Sequence, residues 1–401
     1  MPTREEIAYF GAGPASLPTP VIETASAAIV NYQSSGLGIL EQSHRSSSSA
    51  EIITTATSHL ASLINLPSDG SYSIIFMQGG GTGQFAATAY NMLAYKAGLL
   101  LKAHNNNISI VKSKLAEMKA DYLVTGSWSK KAAAELGSIA GKKFLNVAAS
   151  STDFSIPPED AWKLTEKEKE LYAYYCDNET IDGVEFPGFP AALEGRDVVV
   201  DMSSNVLSRQ FDPTKYAIIF AGAQKNVGPA GVTIVVVRSD VLQNQPDADT
   251  LRELGLPVPP IVFHYPTIVK AGSLYNTLPI FDVFICREVM AGLVLKGGLA
   301  AQEQVANRKA KLLYDALDAG EGVFEIVPKK GVRSRMNICF RLKGGEDAEK
   351  RFLKGAEAKG LTGLKGHRSV GGMRISNYNS IPLEAAEKLA GYINDFVKTE
   401  K

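Results

Sequence analysis

Asp197-Val198-Val199-Val200 runs apolar without alternation and ends on Asp201. A half-exposed strand alternates apolar and polar residues; a continuous run suits a strand covered on both faces, as in a parallel sheet between helices. Further short apolar segments at 73–77, 122–125, 142–149, 172–175, 216–220 and 232–237 read as strands. Helical spacing predicts helices at 21–32, 51–64, 86–100 and 112–119. Strand and helix in alternation predict an α/β chain. Ligands of such sheets bind at the strand ends.

One of those ends carries a lysine. Phe220-Ala-Gly-Ala-Gln224-Lys225-Asn-Val-Gly-Pro-Ala-Gly231 joins two strands, and its small residues let backbone or ligand approach closely. A solvated turn would hold more Asn, Asp and Ser. An amine among small apolar neighbours is partly desolvated, which favours its neutral, nucleophilic form. On this stretch alone, Lys225 is either a Schiff-base lysine or an ordinary turn lysine.

Other strand ends add chemistry. Gly79-Gly-Gly-Thr82-Gly83-Gln-Phe85 lies between a strand and a helix, a recipe for cradling a phosphate on backbone N–H groups. It lacks the Gly-Lys-Ser/Thr ending of a nucleotide loop. Gly81-x-Gly83-x-x-Ala86 satisfies the loose dinucleotide fingerprint, but the acidic residue expected about 20 positions on is replaced by Leu101-Lys-Ala-His-Asn. Trp128 follows a strand and is either core or a stacking face for an aromatic group. Asp201 is either a helix cap or the partner of a cation. Arg45, in Ser43-His44-Arg45, is either surface or an anion contact.

The chain has 401 residues, room for two domains, and its 42 basic residues balance 42 acidic ones. No global charge therefore draws it to nucleic acid or an anionic membrane. No apolar run has the length of a bilayer span, and the acidic N-terminus does not read as a signal or transit peptide. Cys176, Cys286 and Cys339 are widely spaced and lack metal-ligand spacing, as expected of reduced thiols in the cytoplasm. No metal site is expected. Residues 239–260 read as a surface excursion and 272–279 as a polar loop. A long helical region, 280–317, breaks at Lys296-Gly-Gly, where a second domain could begin. Strands at 324–327 and 337–342, a helix at 347–359, a loop at 366–374 and a helix at 382–398 complete the chain.

A phosphate cradle, a stacking face, a carboxylate for a ring nitrogen and an imine-forming amine together match the needs of pyridoxal 5′-phosphate. The sequence also resembles the phosphoserine aminotransferases. The resemblance is carried by Ser43-His44-Arg45, Gly79 to Phe85, Asn178-Glu-Thr-Ile-Asp-Gly183, Asp201-Met-Ser-Ser204, Ala221 to Gly231, Tyr275-Asn276-Thr277 and Lys365-Gly-His-Arg-Ser-Val-Gly-Gly-Met-Arg374. It runs in order from about Tyr9 to the C-terminal helix. It implies the fold-type-I architecture of pyridoxal-phosphate enzymes: an N-terminal arm (1–15), a large domain (16–295) with a mostly parallel seven-stranded sheet between helices, and a smaller α+β C-terminal domain (296–401).

The resemblance further implies roles. Lys225 would bind the cofactor covalently and shuttle the proton, and Asp201 would pair with the pyridine nitrogen. Trp128 would stack on the ring, with Thr180 near its 3-oxygen. Gly81, Thr82 and Gln224 would hold the phosphate, joined by Asn276 and Thr277 from the other subunit of a homodimer. His44, Arg45, His367, Arg368 and Arg374 would receive the substrate anions. The implied substrates are L-glutamate and 3-phosphohydroxypyruvate, in L-serine biosynthesis. Many bacterial members have Arg where this chain has Thr82, and Ser or Thr where it has Ala12; the first change removes a cationic donor. The competing expectations are another class V transaminase, a cysteine desulfurase, a nicotinamide-dependent oxidoreductase and a dimeric scaffold. A desulfurase would need a cysteine in a mobile, exposed loop.

Overall fold

The computed structural model describes residues 2–400. Its centre is a seven-stranded sheet with the order Tyr72–Met77, Thr233–Arg238, Ile218–Gly222, Val198–Asp201, Glu170–Cys176, Lys119–Val124, Leu145–Ser150. The last five run parallel to one another, and Thr233–Arg238 is antiparallel to both of its neighbours. The sheet is thus mostly parallel, and Lys225 sits in the connection that reverses direction.

Alternate side chains of each strand enter different cores. Tyr175, Val198, Val200 and Ile219 pack with Ile52, Leu60 and Phe284, from the Ser47–Leu63 and Ile280–Leu295 helices. Tyr172, Tyr174, Val199, Ile218 and Phe220 pack with Phe85, Leu93 and Leu136, from the Gly80–Ala103 and Ser127–Ala140 helices. Both faces are therefore dry, which is why the strands read as continuous apolar runs. Each fully buried Val, Ile or Phe side chain contributes about 1.5–3 kcal/mol relative to exposure.

The C-terminal part has its own antiparallel sheet, Phe324–Ile326, Asn337–Leu342 and Met373–Ser376. It shares a separate core with the Gly298–Ala319, Gly345–Glu357 and Leu383–Glu400 helices. Ala8–Tyr9 pairs in parallel with Leu361–Thr362, so the N-terminal arm is tied to this part of the chain.

Three expectations differ from the structure. The glycine stretch is the first turn of a helix rather than a loop before one: Gly79, at φ 103, is the cap, and the helix starts at Gly80. Residues 239–260 are not merely surface. They form helices at Ser239–Gln243 and Ala248–Glu253, and bury Val241, Leu251, Leu254 and Leu256 in the second core. Arg374 lies on a strand, not in the expected 366–374 loop. No helix among the described residues is long and apolar enough to cross a membrane.

Candidate active site

Met77, Val124, Cys176, Asp201 and Gly222 end their strands on the same edge of the central sheet, because the parallel register aligns those ends. The chain leaves that edge at Gly79, Gly126, Asp177, Met202 and Ala223. Most of the expected residues therefore gather there.

Lys225 is held from two sides, the N-terminal arm and the C-terminal part. Its Nζ donates to the carbonyl of Ala12, from the N-terminal arm, and lies 5.7 Å from the centre of the Tyr378 ring, from the C-terminal part. Gly13 follows at φ 126, and a side chain there would come within 2.5 Å of Nζ. Burial lowers the amine to about 8; the positive charge of Arg374 adds to the shift and Asp201 opposes it. Near-neutral pH thus leaves a usable fraction of nucleophilic amine.

Asp201 is 4% exposed, and its Oδ1 accepts from the Ser203 N–H at 2.8 Å. Its Oδ2 faces Gly81, where an added Cβ would stand 3.7 Å away. Burial raises the carboxyl to about 6. A carboxylate raised by desolvation is ready for a cationic partner, whose approach would bring the value back down. Ser203 Oγ accepts from Gly222 N–H at 3.0 Å, and a Cβ on Gly222 would be 2.5 Å from Gln224 Oε1. Gln224, Gly222, Ser203, Asp201 and Gly81 thus form one connected group.

Gly80, Gly81 and Thr82 open a 24-residue helix, and their N–H groups precede its first intrahelical bond, from Gly83 to Gly79. Free N–H groups at the positive end of a helix dipole suit a phosphate. Thr82 is exposed in this turn. Gln78, beside the cap, accepts from Asn276 Nδ2 at 2.5 Å, so the Asn276-Thr277 loop borders the same cradle.

Trp128 opens the Ser127–Ala140 helix. Its Nε1 is buried without a partner, and Lys131 Nζ lies 4.2 Å from its ring centre. Thr180 is buried, and its carbonyl accepts from Arg374 Nη1 at 3.2 Å. Arg374 is 8% exposed, and this is its one side-chain hydrogen bond among the described residues, which leaves most of its fork for an anion. His367 and Arg368 are exposed on the adjoining turn, with His367 Nδ1 2.7 Å from Ser369 Oγ. His44, with Nε2 buried and unpartnered, and exposed Arg45 precede the Ser47–Leu63 helix. Neither makes a hydrogen bond or ion pair with the Lys225 group among the described residues.

Sequence reasoning missed several contributors. Ala12, singled out in the sequence only as a departure from bacterial members, acts through its carbonyl, and Gly13 through lacking a side chain, so neither identity carries a chemical signature. Tyr378 OH donates to the same Ala12 carbonyl at 2.9 Å, but a tyrosine in a strand-to-helix turn looks like core. Glu179, within the Asn178–Gly183 motif, was readable only as part of a polar turn.

The donor set fits pyridoxal phosphate: an amine lowered toward neutrality, a buried carboxylate facing open glycine, free helix N–H groups and an indole with a spare N–H. The three cysteines are buried, and burial raises the thiols of Cys176, Cys286 and Cys339. None is suited to the nucleophilic role of a desulfurase. No His, Cys, Asp and Glu group among the described residues could hold a metal ion.

Comparison with known proteins gives a consistent result. Residues 7–389 match the family Aminotransferase class-V. Phosphoserine aminotransferase of Saccharomyces cerevisiae is 41% identical over 411 aligned residues, covering 98% of each chain. The solved structure of phosphoserine aminotransferase from Bacillus circulans subsp. alkalophilus superposes with a TM-score of 0.85 at 36% identity, covering 99% of this chain and 100% of that one. The pyridoxal-phosphate-bound phosphoserine aminotransferase of Trichomonas vaginalis superposes at 0.83, also at 36% identity, covering 96% of this chain and 99% of that one. By family match and by near-full-length identity, the chain belongs to the class-V aminotransferases.

Proposed function

We infer that the chain is a pyridoxal-phosphate-dependent phosphoserine aminotransferase. It transfers the amino group of L-glutamate to 3-phosphohydroxypyruvate, giving O-phospho-L-serine and 2-oxoglutarate, reversibly, in L-serine biosynthesis. The observation that carries this reading is Lys225 beside a buried Asp201, with the glycine-opened helix facing the same space.

The cofactor, when bound, supplies an electron sink for the Cα–H bond and carries the amino group between the two half-reactions. Lys225 would hold it, and its freed Nζ would take the proton from the substrate Cα as general base and deliver it to the cofactor carbon as general acid. Asp201 stabilises positive charge on the ring nitrogen. Trp128 would cover the ring face, and Thr180 would lie near the 3-oxygen. Gly81, Thr82 and Gln224 bind the phosphate. Arg374 receives a substrate carboxylate or phosphate through its unused N–H groups, and His44, Arg45, His367 and Arg368 receive the other anionic end. Both substrates carry two anionic ends, which matches this surplus of cationic donors.

A homodimer with shared sites belongs to the same reading: the Asn276-Thr277 loop, which lies against its own chain's Gln78, would reach across the dimer axis to the partner's phosphate. Exposed Tyr275, Ile261 and Val262 beside the cradle support it, because large apolar side chains at a site's rim favour burial by a partner. The division into an arm (1–15), a large domain (16–295) and a small domain (296–401), and a cytoplasmic location, are further parts of the proposal. The break between the Ile280–Leu295 and Gly298–Ala319 helices supports the second boundary.

Spectrophotometry of the purified holoenzyme tests this. Glutamate should shift the visible band of the bound cofactor, and 3-phosphohydroxypyruvate should restore it more effectively than any unphosphorylated keto acid other than 2-oxoglutarate, the product of that half-reaction. Lys225→Ala should abolish the band and turnover. A preference for an unphosphorylated acceptor other than 2-oxoglutarate would overturn the substrate assignment, and an active Lys225→Ala variant would overturn the mechanism.

A further inference from the structure

The Ser127–Ala140 helix is capped from a distance. Ser127 N–H donates to Asp182 Oδ2 at 2.8 Å, Trp128 N–H to Glu179 Oε2 at 2.8 Å, and Ser129 N–H to Glu179 Oε1 at 2.9 Å. The Ser127 and Ser129 hydroxyls add bonds to Asp182 Oδ1 at 3.3 Å and Glu179 Oε1 at 2.5 Å. An ordinary cap comes from the residue just before the helix. Here that residue is Gly126, where a Cβ would lie 2.6 Å from Glu179 Cδ and 2.7 Å from Asp182 Oδ2. A local capping side chain is sterically barred, and two remote carboxylates take its place.

The segment supplying them is one tight turn. Asp182 and Gly183 N–H both return to the Glu179 carbonyl, at 3.2 and 2.8 Å. Thr180 and Ile181 lie between, and the Thr180 carbonyl accepts from Arg374 while the Ile181 carbonyl accepts from Cys339 Sγ at 3.5 Å. Ser334 N–H closes on the Gly183 carbonyl at 2.9 Å. The side chains of the turn therefore hold the helix that carries Trp128, and its backbone holds Arg374 and the neighbouring strand at Cys339. Glu179 is 0% exposed, and burial raises its carboxyl to about 7 against the hydrogen bonds from Ser129 and Trp128. An exposed cap would avoid that penalty.

We propose that Glu179 and Asp182 are positioning residues, which fix the Trp128 indole and couple it to Arg374 through the turn between them. The inference rests on the reading that Trp128 faces the cofactor. A displacement of about 1 Å at such a group lowers turnover by up to ~100-fold.

The chain has 2 tryptophans, so Trp162→Phe leaves Trp128 as the sole reporter. In that parent, loading the apoenzyme with pyridoxal phosphate should quench the fluorescence. Glu179→Gln keeps the shape but turns an amide NH2 toward N–H donors. It should reduce the quenching at saturating cofactor, red-shift the emission, and lower kcat/KM by roughly 10-fold, with far-UV circular dichroism unchanged. Asp182→Asn should act in the same direction but less strongly, and it decides the matter if Glu179→Gln does not fold. Unchanged quenching and kinetics with only a lower Tm would overturn the proposal, reducing both residues to helix caps. An active parent with no quenching on loading would remove Trp128 from the cofactor face and the proposal with it, leaving the transamination reading standing.

Discussion

Lys309 offers a quantitative test of how the C-terminal part is fastened. It lies on the Gly298–Ala319 helix at 0% exposure, and its Nζ donates to the carbonyls of Tyr378 at 2.8 Å and Ile381 at 2.7 Å. It forms no ion pair among the described residues, and burial lowers its amine from 10.5 to about 7. The folded state thus takes up the proton less readily than the unfolded chain. The stability this group contributes is fully present above pH 10.5. It falls as pH drops toward 7, by up to about 1.4 kcal/mol per unit or roughly 5 kcal/mol in all. Below pH 7 it changes no further.

Lys309→Met fills the same volume but neither titrates nor donates. It orphans the Ile381 carbonyl, at about 1–3 kcal/mol while buried, removes one of the two hydrogen bonds to the Tyr378 carbonyl (which keeps the Ile381 N–H), at about 0.5–1.5 kcal/mol, and removes the desolvation penalty. Near pH 7 these effects roughly offset each other. By pH 9.5 wild type has recovered about 3 kcal/mol of its penalty, so the variant should be clearly the less stable protein. Urea unfolding of both proteins across pH 7–9.5, at matched protein and cofactor concentrations, isolates the difference, because binding and association enter both alike. A stability difference independent of pH would refute the reasoning, since Lys309 would then keep one protonation state throughout.

Two further outcomes follow from the site itself. Cofactor capture by the apoenzyme should accelerate about 10-fold per pH unit up to the Lys225 value of about 8 and level off above it; stopped-flow absorbance would measure this, and a flat profile between pH 6.5 and 9 would contradict it. Arg374→Ala should raise KM for glutamate by roughly 10- to 100-fold through loss of a charge-assisted contact while changing kcat less; steady-state kinetics with both substrates would detect the opposite split.

The central sheet was legible because its strands are dry on both faces, and Val198 to Val200 or Ile218 to Phe220 can then be read without knowing their partners. The start of the glycine helix was not, since glycine disfavours helix interiors and only the cap geometry of Gly79 reveals the first turn. Residues 239–260 misled for a different reason: prolines and acids are interspersed through the segment, while of the four apolar residues that anchor it Val241 and Leu251 fall on two short helices and Leu254 and Leu256 follow the second, with no sustained period. Lys225, Asp201 and the glycine cradle were legible because their chemistry is unusual for strand ends. Contacts made by backbone atoms, such as the carbonyls of Ala12 and Thr180, leave no trace in residue identity.

Those backbone contacts explain why the amine sits near neutrality. Asp201, on the adjacent strand, would alone favour the charged form of Lys225. Burial outweighs it, and the surroundings that bury Nζ come from the arm at Ala12 and Gly13 and from the C-terminal part at Tyr378, with the charge of Arg374 adding to the shift. Tyr378 in turn is held by Lys309 through its carbonyl and by Asn337 Nδ2 at 3.1 Å through its hydroxyl. Asn337 Oδ1 accepts from Asn178, next to Glu179, at 2.8 Å. Reactivity at the sheet edge therefore depends on the C-terminal part being docked against it. A perturbation that loosens this docking should raise the Lys225 amine back toward its ordinary value and slow cofactor capture at neutral pH, before it unfolds the central sheet.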